Sequence, residues 1–189
     1  MKKIAITGVI GSGKSYVGKM LVSLGYDCLD LDKVAKQVRD EEAKPLIEAL
    51  FHSSDPLEIG KQIFNDEGKM QQLNKIMHPL ILDRMLKYFD DNKTSGFVFV
   101  EIPLLYELGW ETYFDYCWCV SADEKMLIER LINYRGFDID RAIKVIESQM
   151  SIDEKTKRAD YLLDNTNNND PEGMKKQILK GLEIINAKD

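Results

Sequence analysis

The stretch ITGVIGSGKSYVGKML, residues 6 to 21, constrains this chain more than any other. Gly8, Gly13, Lys14 and Ser15 satisfy the spacing G-x-x-x-x-G-K-[ST]. The run KKIAIT before it is short, apolar and followed by glycine, the pattern of a buried parallel strand. After it, Val17, Met20, Leu21 and Leu24 recur at i, i+3, i+4 and i+7, an amphipathic helix ending near Gly25. A glycine loop between a strand and a helix is the context in which this motif has physical meaning. The backbone N–H groups from Gly11 to Ser15 converge on phosphate oxygens, and the helix N-terminus adds partial positive charge. Lys14 then reaches the β- and γ-phosphates of a nucleoside triphosphate, and the Ser15 hydroxyl ligates Mg²⁺. Gly8, Gly11, Ser12, Gly13, Lys14 and Ser15 form the nucleotide site on this reading. The competing reading, a glycine-rich turn with no ligand, does not require Lys14 and Ser15 at these positions.

Strand and helix patterns alternate along the remaining chain. YDCLDLD reads as a second strand ending in acids. Residues 34 to 50 are helical in pattern, with Pro45 as an interruption, and HSSDP is a loop. Residues 57 to 90 read as helix with a break at His78-Pro79. GFVFVEIP is a central strand stopped by Pro103, and YCWCVSA is the next. Residues 123 to 158 are helical and rich in charge, and ADYLLDN supplies a last short strand. NTNNND is a polar turn. Asp170 then caps a helix with Pro171 at its first position and Met174, Ile178, Leu182 and Ile185 as its apolar stripe. Alternation of this kind implies an α/β fold with a parallel sheet.

Composition narrows the partners. With 26 Lys and Arg against 32 Asp and Glu, the net charge of −6 disfavours nucleic acid as the main ligand, while a local cation cluster still suits small anions. No run approaches the ~18 apolar residues of a membrane span. The lysines before an apolar run at residues 2 to 6 imitate a secretory signal, but Thr7 and Gly8 break it and no cleavage site follows. A soluble cytoplasmic protein is expected. Cys28, Cys117 and Cys119 are too few and too irregular for a disulfide framework, and buried core thiols are expected.

Ligands of open parallel sheets bind beyond the carboxyl ends of the strands. Asp30 and Asp32 follow the second strand, where they either orient and deprotonate an acceptor hydroxyl or cap the next helix. Glu101, ending the third, either holds Mg²⁺ or is a solvated carboxylate at a strand tip. His78 reads as structural, and His52 has no supporting context. The arginines between 130 and 158 either face solvent or serve a phosphoryl-transfer site. DNKTSG at 91 to 96 lacks the acid of the guanine-reading N-K-x-D motif, so a GTPase switch is disfavoured. A small-molecule kinase fits better. A kinase of a nucleoside or nucleotide acceptor, or a regulatory nucleotide-binding module, are the alternatives.

Several ordered motifs together resemble the dephospho-coenzyme A kinase family over about residues 3 to 166. They are ITGVIGSGKS, LGYDCLDLDKVAKQV, HPLI at 78 to 81, IPLLYE at 102 to 107, the Arg130 region leading to Gln149, and ADYLLDN at 159 to 165. IPLLYE is the most specific of these. The resemblance implies a three-layer P-loop NTPase fold with a helical acceptor-binding insertion and a helical lid. It implies one 1–189 domain: core about 1–32, 95–122 and 159–189, acceptor part about 33–90, lid about 123–158. The implied reaction is ATP-dependent phosphorylation of the ribose 3′-hydroxyl of dephospho-CoA, giving CoA and ADP with Mg²⁺. By the same resemblance Asp32 is the base, Lys14 is catalytic at the β- and γ-phosphates, and Arg130, with Arg135 as a candidate second lid cation, neutralises charge on the moving phosphoryl group. Tyr16 joins the phosphate loop where the family commonly has Thr. His78, Pro103, Leu104 and Glu107 lie near the acceptor. The chain departs from the family at Pro56-Leu57, where an arginine is usual. It departs again at Tyr134, where a second lid arginine is usual; Arg135 stands one residue later.

Overall fold

The computed structural model describes residues 1–64, 66–167 and 170–187. Contacts divide the chain into two compact units: Met1–Asp30 with Thr94–Asp189, and Leu31–Lys93.

In the first unit the described strands form one parallel sheet. They are β1 (Lys2–Thr7), β2 (Asp27–Asp30), β3 (Phe97–Glu101), β4 (Tyr116–Ser121) and β5 (Tyr161–Asp164), in the order β2-β3-β1-β4-β5. β1 is central, with Ile4 opposite both Phe99 and Tyr116. Because side chains alternate along a strand, each central strand offers an apolar residue to both faces. Ile4, Ile6, Phe99, Trp118, Val120 and Leu163 face one side. There they bury against Val17 and Leu21 of α1 (Lys14–Ser23) and against α9 (Pro171–Asn186). α9 brings Met174, Ile178, Leu182 and Ile185, the stripe expected from its spacing, and the Asp170 side chain accepts from the Gly173 N–H at 2.7 Å. Gly181 lets α9 lie directly on Trp118 and Tyr161, since a Cβ there would meet both rings at 2.8 Å.

Cys117 and Cys119 point to the other face of β4, against which α8 (Ile152–Arg158) packs. α6 (Glu124–Arg135) and α7 (Ile139–Glu147) precede α8. One buried cation fixes α8 to the segment after β3. Lys155 is 0% exposed, and its Nζ donates to the Pro103 carbonyl at 2.7 Å and lies 2.8 and 2.9 Å from the two Glu107 oxygens. Glu107 also accepts from the Met150 N–H at 2.9 Å.

The second unit is helical: α2 (Leu31–Asp40), α3 (Lys44–Phe51), α4 (Pro56–Ile63) and α5 (Glu67–Asp91). Three sequence expectations are corrected here. The acidic strand ends at Asp30, and Asp32 lies in the first turn of α2. The interruption expected at Pro45 falls just before it, between α2 and α3, and Pro45 itself stands in the first turn of α3, where its missing N–H costs nothing. Pro79 does not break α5, which is continuous over its 25 residues. An internal proline costs about 3 kcal/mol. Packing of α5 against α2, α3 and α4 outweighs that cost.

Lys155→Ala should destabilise the protein by about 2–3 kcal/mol, less than the ~3–5 kcal/mol of a fully buried pair because Glu107 keeps some contact with water. Urea unfolding checks this; an unchanged midpoint would make the pair incidental. Burial pushes the Cys119 thiol up to about 11 and the Cys117 thiol up to about 12. A raised thiol pKa leaves almost no thiolate at pH 8. Iodoacetamide at that pH should therefore spare both in the native protein and modify both in denaturant, as read by mass spectrometry.

Candidate active site

The site starts where β1 ends. From Gly8 the chain turns through the loop into α1, whose N-cap is Gly13 in the left-handed region at φ 98°. A side chain there has no room, because its Cβ would fall on the Asn165 amide nitrogen. The loop is braced through its carbonyls. Lys14 Nζ donates to the Gly8 and Val9 carbonyls at 3.0 and 3.1 Å, and the Ser12 N–H donates to the Val9 carbonyl at 3.1 Å. The Arg130 guanidinium donates to the Gly11 carbonyl at 3.0 Å, the Ser12 carbonyl at 3.2 Å and the Asn165 carbonyl. Asn165 Nδ2 donates to the Ser12 carbonyl at 2.7 Å. The Gln149 side-chain oxygen accepts from the Ile10 N–H at 2.9 Å. Ser15 and Tyr16 follow in the first turn of α1, with both side chains exposed.

Arg130 is therefore a buried side chain at the back of the loop, and burial lowers its pKa. Arg135, at the C-terminus of α6, is exposed. The reading of Glu101 as a solvated carboxylate is corrected. It is buried, and one of its oxygens occupies the space a Cβ on Gly18 would need. Cys28 Sγ lies 4.0 Å from the same carboxylate, a weak S–H donor. The Glu101 carboxylate therefore lies against α1 at Gly18, one turn into the helix from Ser15. Asp30 is level with Glu101 in the sheet.

In the 102–107 segment, Leu104 is exposed and Pro103 half-buried, while the Pro103 carbonyl and the Glu107 carboxylate hold Lys155. Asp32 and His78 belong to the helical unit. His78 is half-buried in α5, and burial lowers its pKa. Sequence reasoning missed the roles of Asn165, Gln149 and Lys155. Each acts on a backbone group or is hidden in a charged helix, and the only signal for Asn165 and Gln149 is their place in the ADYLLDN and Arg130–Gln149 motifs.

The family model described as dephospho-CoA kinase matches residues 2–170. The chain is 31% identical to the dephospho-CoA kinase of Carboxydothermus hydrogenoformans, over 98% of this chain and 95% of that protein. Against the Bacillus licheniformis dephospho-CoA kinase it is 34% identical, over 93% of this chain and 94% of that protein. Among solved structures, a Thermus thermophilus protein superposes with a TM-score of 0.88 at 30% identity, covering 97% of this chain and 96% of that one. The dephospho-CoA kinase from Campylobacter jejuni superposes with a TM-score of 0.71 at 25% identity, with the same coverage of each chain. A phosphate loop at the end of the central strand, an acid two residues after β2, and matches over nearly the whole length of these enzymes lead to one conclusion: the chain belongs to the dephospho-CoA kinase family.

Proposed function

We propose that this protein transfers the γ-phosphoryl group of ATP to the ribose 3′-hydroxyl of dephospho-CoA, giving CoA and ADP, the last step of coenzyme A biosynthesis. The observation that carries this reading is the loop from Gly8 to Ser15 at the end of β1, in a chain matching dephospho-CoA kinases along nearly all its length.

In the proposed mechanism the loop N–H groups and Lys14 hold the ATP phosphates. Lys14 leaves the Gly8 and Val9 carbonyls to reach the β- and γ-oxygens. Asp32 accepts the proton of the 3′-hydroxyl as its oxygen attacks the γ-phosphorus in line. The bond from that phosphorus to the β–γ bridging oxygen breaks, and ADP carries away the electron pair. Mg²⁺ neutralises charge on the phosphates when bound. The Ser15 hydroxyl and the Glu101 carboxylate, which lies against Gly18 of the same helix, are hard oxygen donors of the type it takes. A protein cage of several carboxylates is not required, because Mg²⁺ at nucleotide sites keeps waters and phosphate oxygens as ligands. Arg135 is the lid cation offered to the transferring group. By the family resemblance, His78, Pro103, Leu104 and Glu107 are the residues offered to the acceptor.

ADP release by the purified protein with Mg-ATP should rise strongly on adding dephospho-CoA, with CoA formed in equal amount. Stimulation by a nucleoside instead would discard the acceptor and keep the chemistry. No stimulation by any acceptor, despite ATP binding, would reject the kinase. Asp32→Asn should lower kcat by roughly 10²–10⁴ with the fold intact; near-normal turnover in that variant would leave Asp32 no role beyond the start of α2.

A further inference from the structure

We infer that Arg130 and Asn165 are a pair of positioning residues that set the direction of the Ser12–Gly13 peptide, turning the Gly13 N–H toward the bound phosphates. This deepens the reading above and rests on the loop being the nucleotide site.

The argument begins with the Ser12 carbonyl. Ser12 is 0% exposed, so its carbonyl must find donors within the protein. It has two: Asn165 Nδ2 at 2.7 Å and Arg130 Nη1 at 3.2 Å. Arg130 also donates to the Asn165 carbonyl, so each member of the pair holds the other in place. Asn165 is anchored from the sheet, its N–H donating to the Ser121 carbonyl at 2.8 Å. A trans peptide directs its C=O and its N–H to opposite sides, and the described peptides are trans. With the Ser12 carbonyl held backward, the Gly13 N–H points forward, away from Arg130 and Asn165. The Gly13 carbonyl is already engaged by the Tyr16 and Val17 N–H groups at 2.9 and 3.1 Å, which fixes the next peptide too. The missing Cβ of Gly13 makes room for the Asn165 amide, so the glycine and the asparagine are one device.

Loss of either donor frees the peptide to rotate and to present a carbonyl to the phosphates. The Arg130 charge is then spent on loop carbonyls, and the residue acts on the nucleotide through them. A transition-state cation and a positioning residue predict different kinetics. The former lowers kcat and leaves ADP binding almost intact, since ADP has no γ-phosphate. A positioning residue weakens ADP and ATP alike.

The experiment measures ADP and ATP binding by calorimetry and steady-state kinetics for Arg130→Lys, Asn165→Asp and the double variant, with thermal unfolding as the fold control. Asn165→Asp keeps the shape and replaces the donor with an acceptor. Each single change should raise the Kd of ADP and of ATP by the same factor, roughly tenfold to hundredfold for a buried carbonyl left short of a donor. KM for dephospho-CoA should stay as in the wild type, and kcat at saturating ATP should fall by less than nucleotide affinity does. The double variant should lose less than the product of the single losses, because both residues hold one carbonyl. Wild-type ADP affinity in either variant, or losses that multiply, would overturn the inference. A second readout needs no variant: the Gly13 amide resonance of the wild-type protein should shift downfield on adding ADP, and an unresponsive amide would also overturn it. ADP binding requires no acceptor. A protein that binds ADP yet phosphorylates nothing would therefore reject the kinase reading while these affinities still judged the pair.

Discussion

A loop that turns its N–H groups inward around an anion must turn its carbonyls outward, and buried carbonyls need donors. Much of this molecule is arranged to meet that requirement. The Val9 carbonyl takes the Ser12 N–H, while those of Gly11 and Ser12 take Arg130 and Asn165. The donors come from the loop itself, from α6 and from the end of β5, so elements distant in sequence converge on one turn. The shape of the loop is thus as much a property of residues 130 and 165 as of the glycines.

The same logic explains why residues 149 to 155 lie where they do. Gln149 takes the Ile10 N–H, the Met150 N–H is taken by Glu107, and Lys155 closes the arrangement onto Pro103 and Glu107. A lysine 0% exposed is tolerable only because its ammonium has a carboxylate and a carbonyl within hydrogen-bond reach. The segment after β3 and the helices before β5 are therefore tied by polar bonds, where most of the sheet is held by apolar packing.

The strands were legible in the sequence because a parallel strand covered on both faces is a continuous apolar run: KKIAIT, GFVFVEIP and YCWCVSA all became strands within a residue or two of their patterns. The loop and the α9 cap and stripe were legible because glycine, lysine, aspartate and proline have fixed local chemistry. Helix boundaries were less so. Pro45 and Pro79 look alike in sequence, yet one begins a helix and the other sits inside one, and only tertiary packing distinguishes them. The environment of Glu101 was hidden for a related reason: alternation places a side chain on a face, and nothing local says that Gly18 leaves space for a carboxylate there. Arg130, Asn165 and Lys155 were harder still. Backbone carbonyls are chief among their partners, and every residue has one, so no pairing of side-chain types marks them.

The strand order has a consequence for how the chain is made. Lys2 of β1 has Phe97 as its partner on one side, and Ile4 has Tyr116 on the other. On a ribosome, β1 therefore stays without either neighbour while nearly a hundred further residues are synthesised. The helical unit from Leu31 to Lys93 is continuous in sequence and has emerged in full before that partner does. The central strand of the sheet, with its apolar Ile4-Ala5-Ile6 run, waits longest, exposed to whatever else would pair with it, and the order of synthesis makes β1 the segment that holding chaperones have most reason to cover.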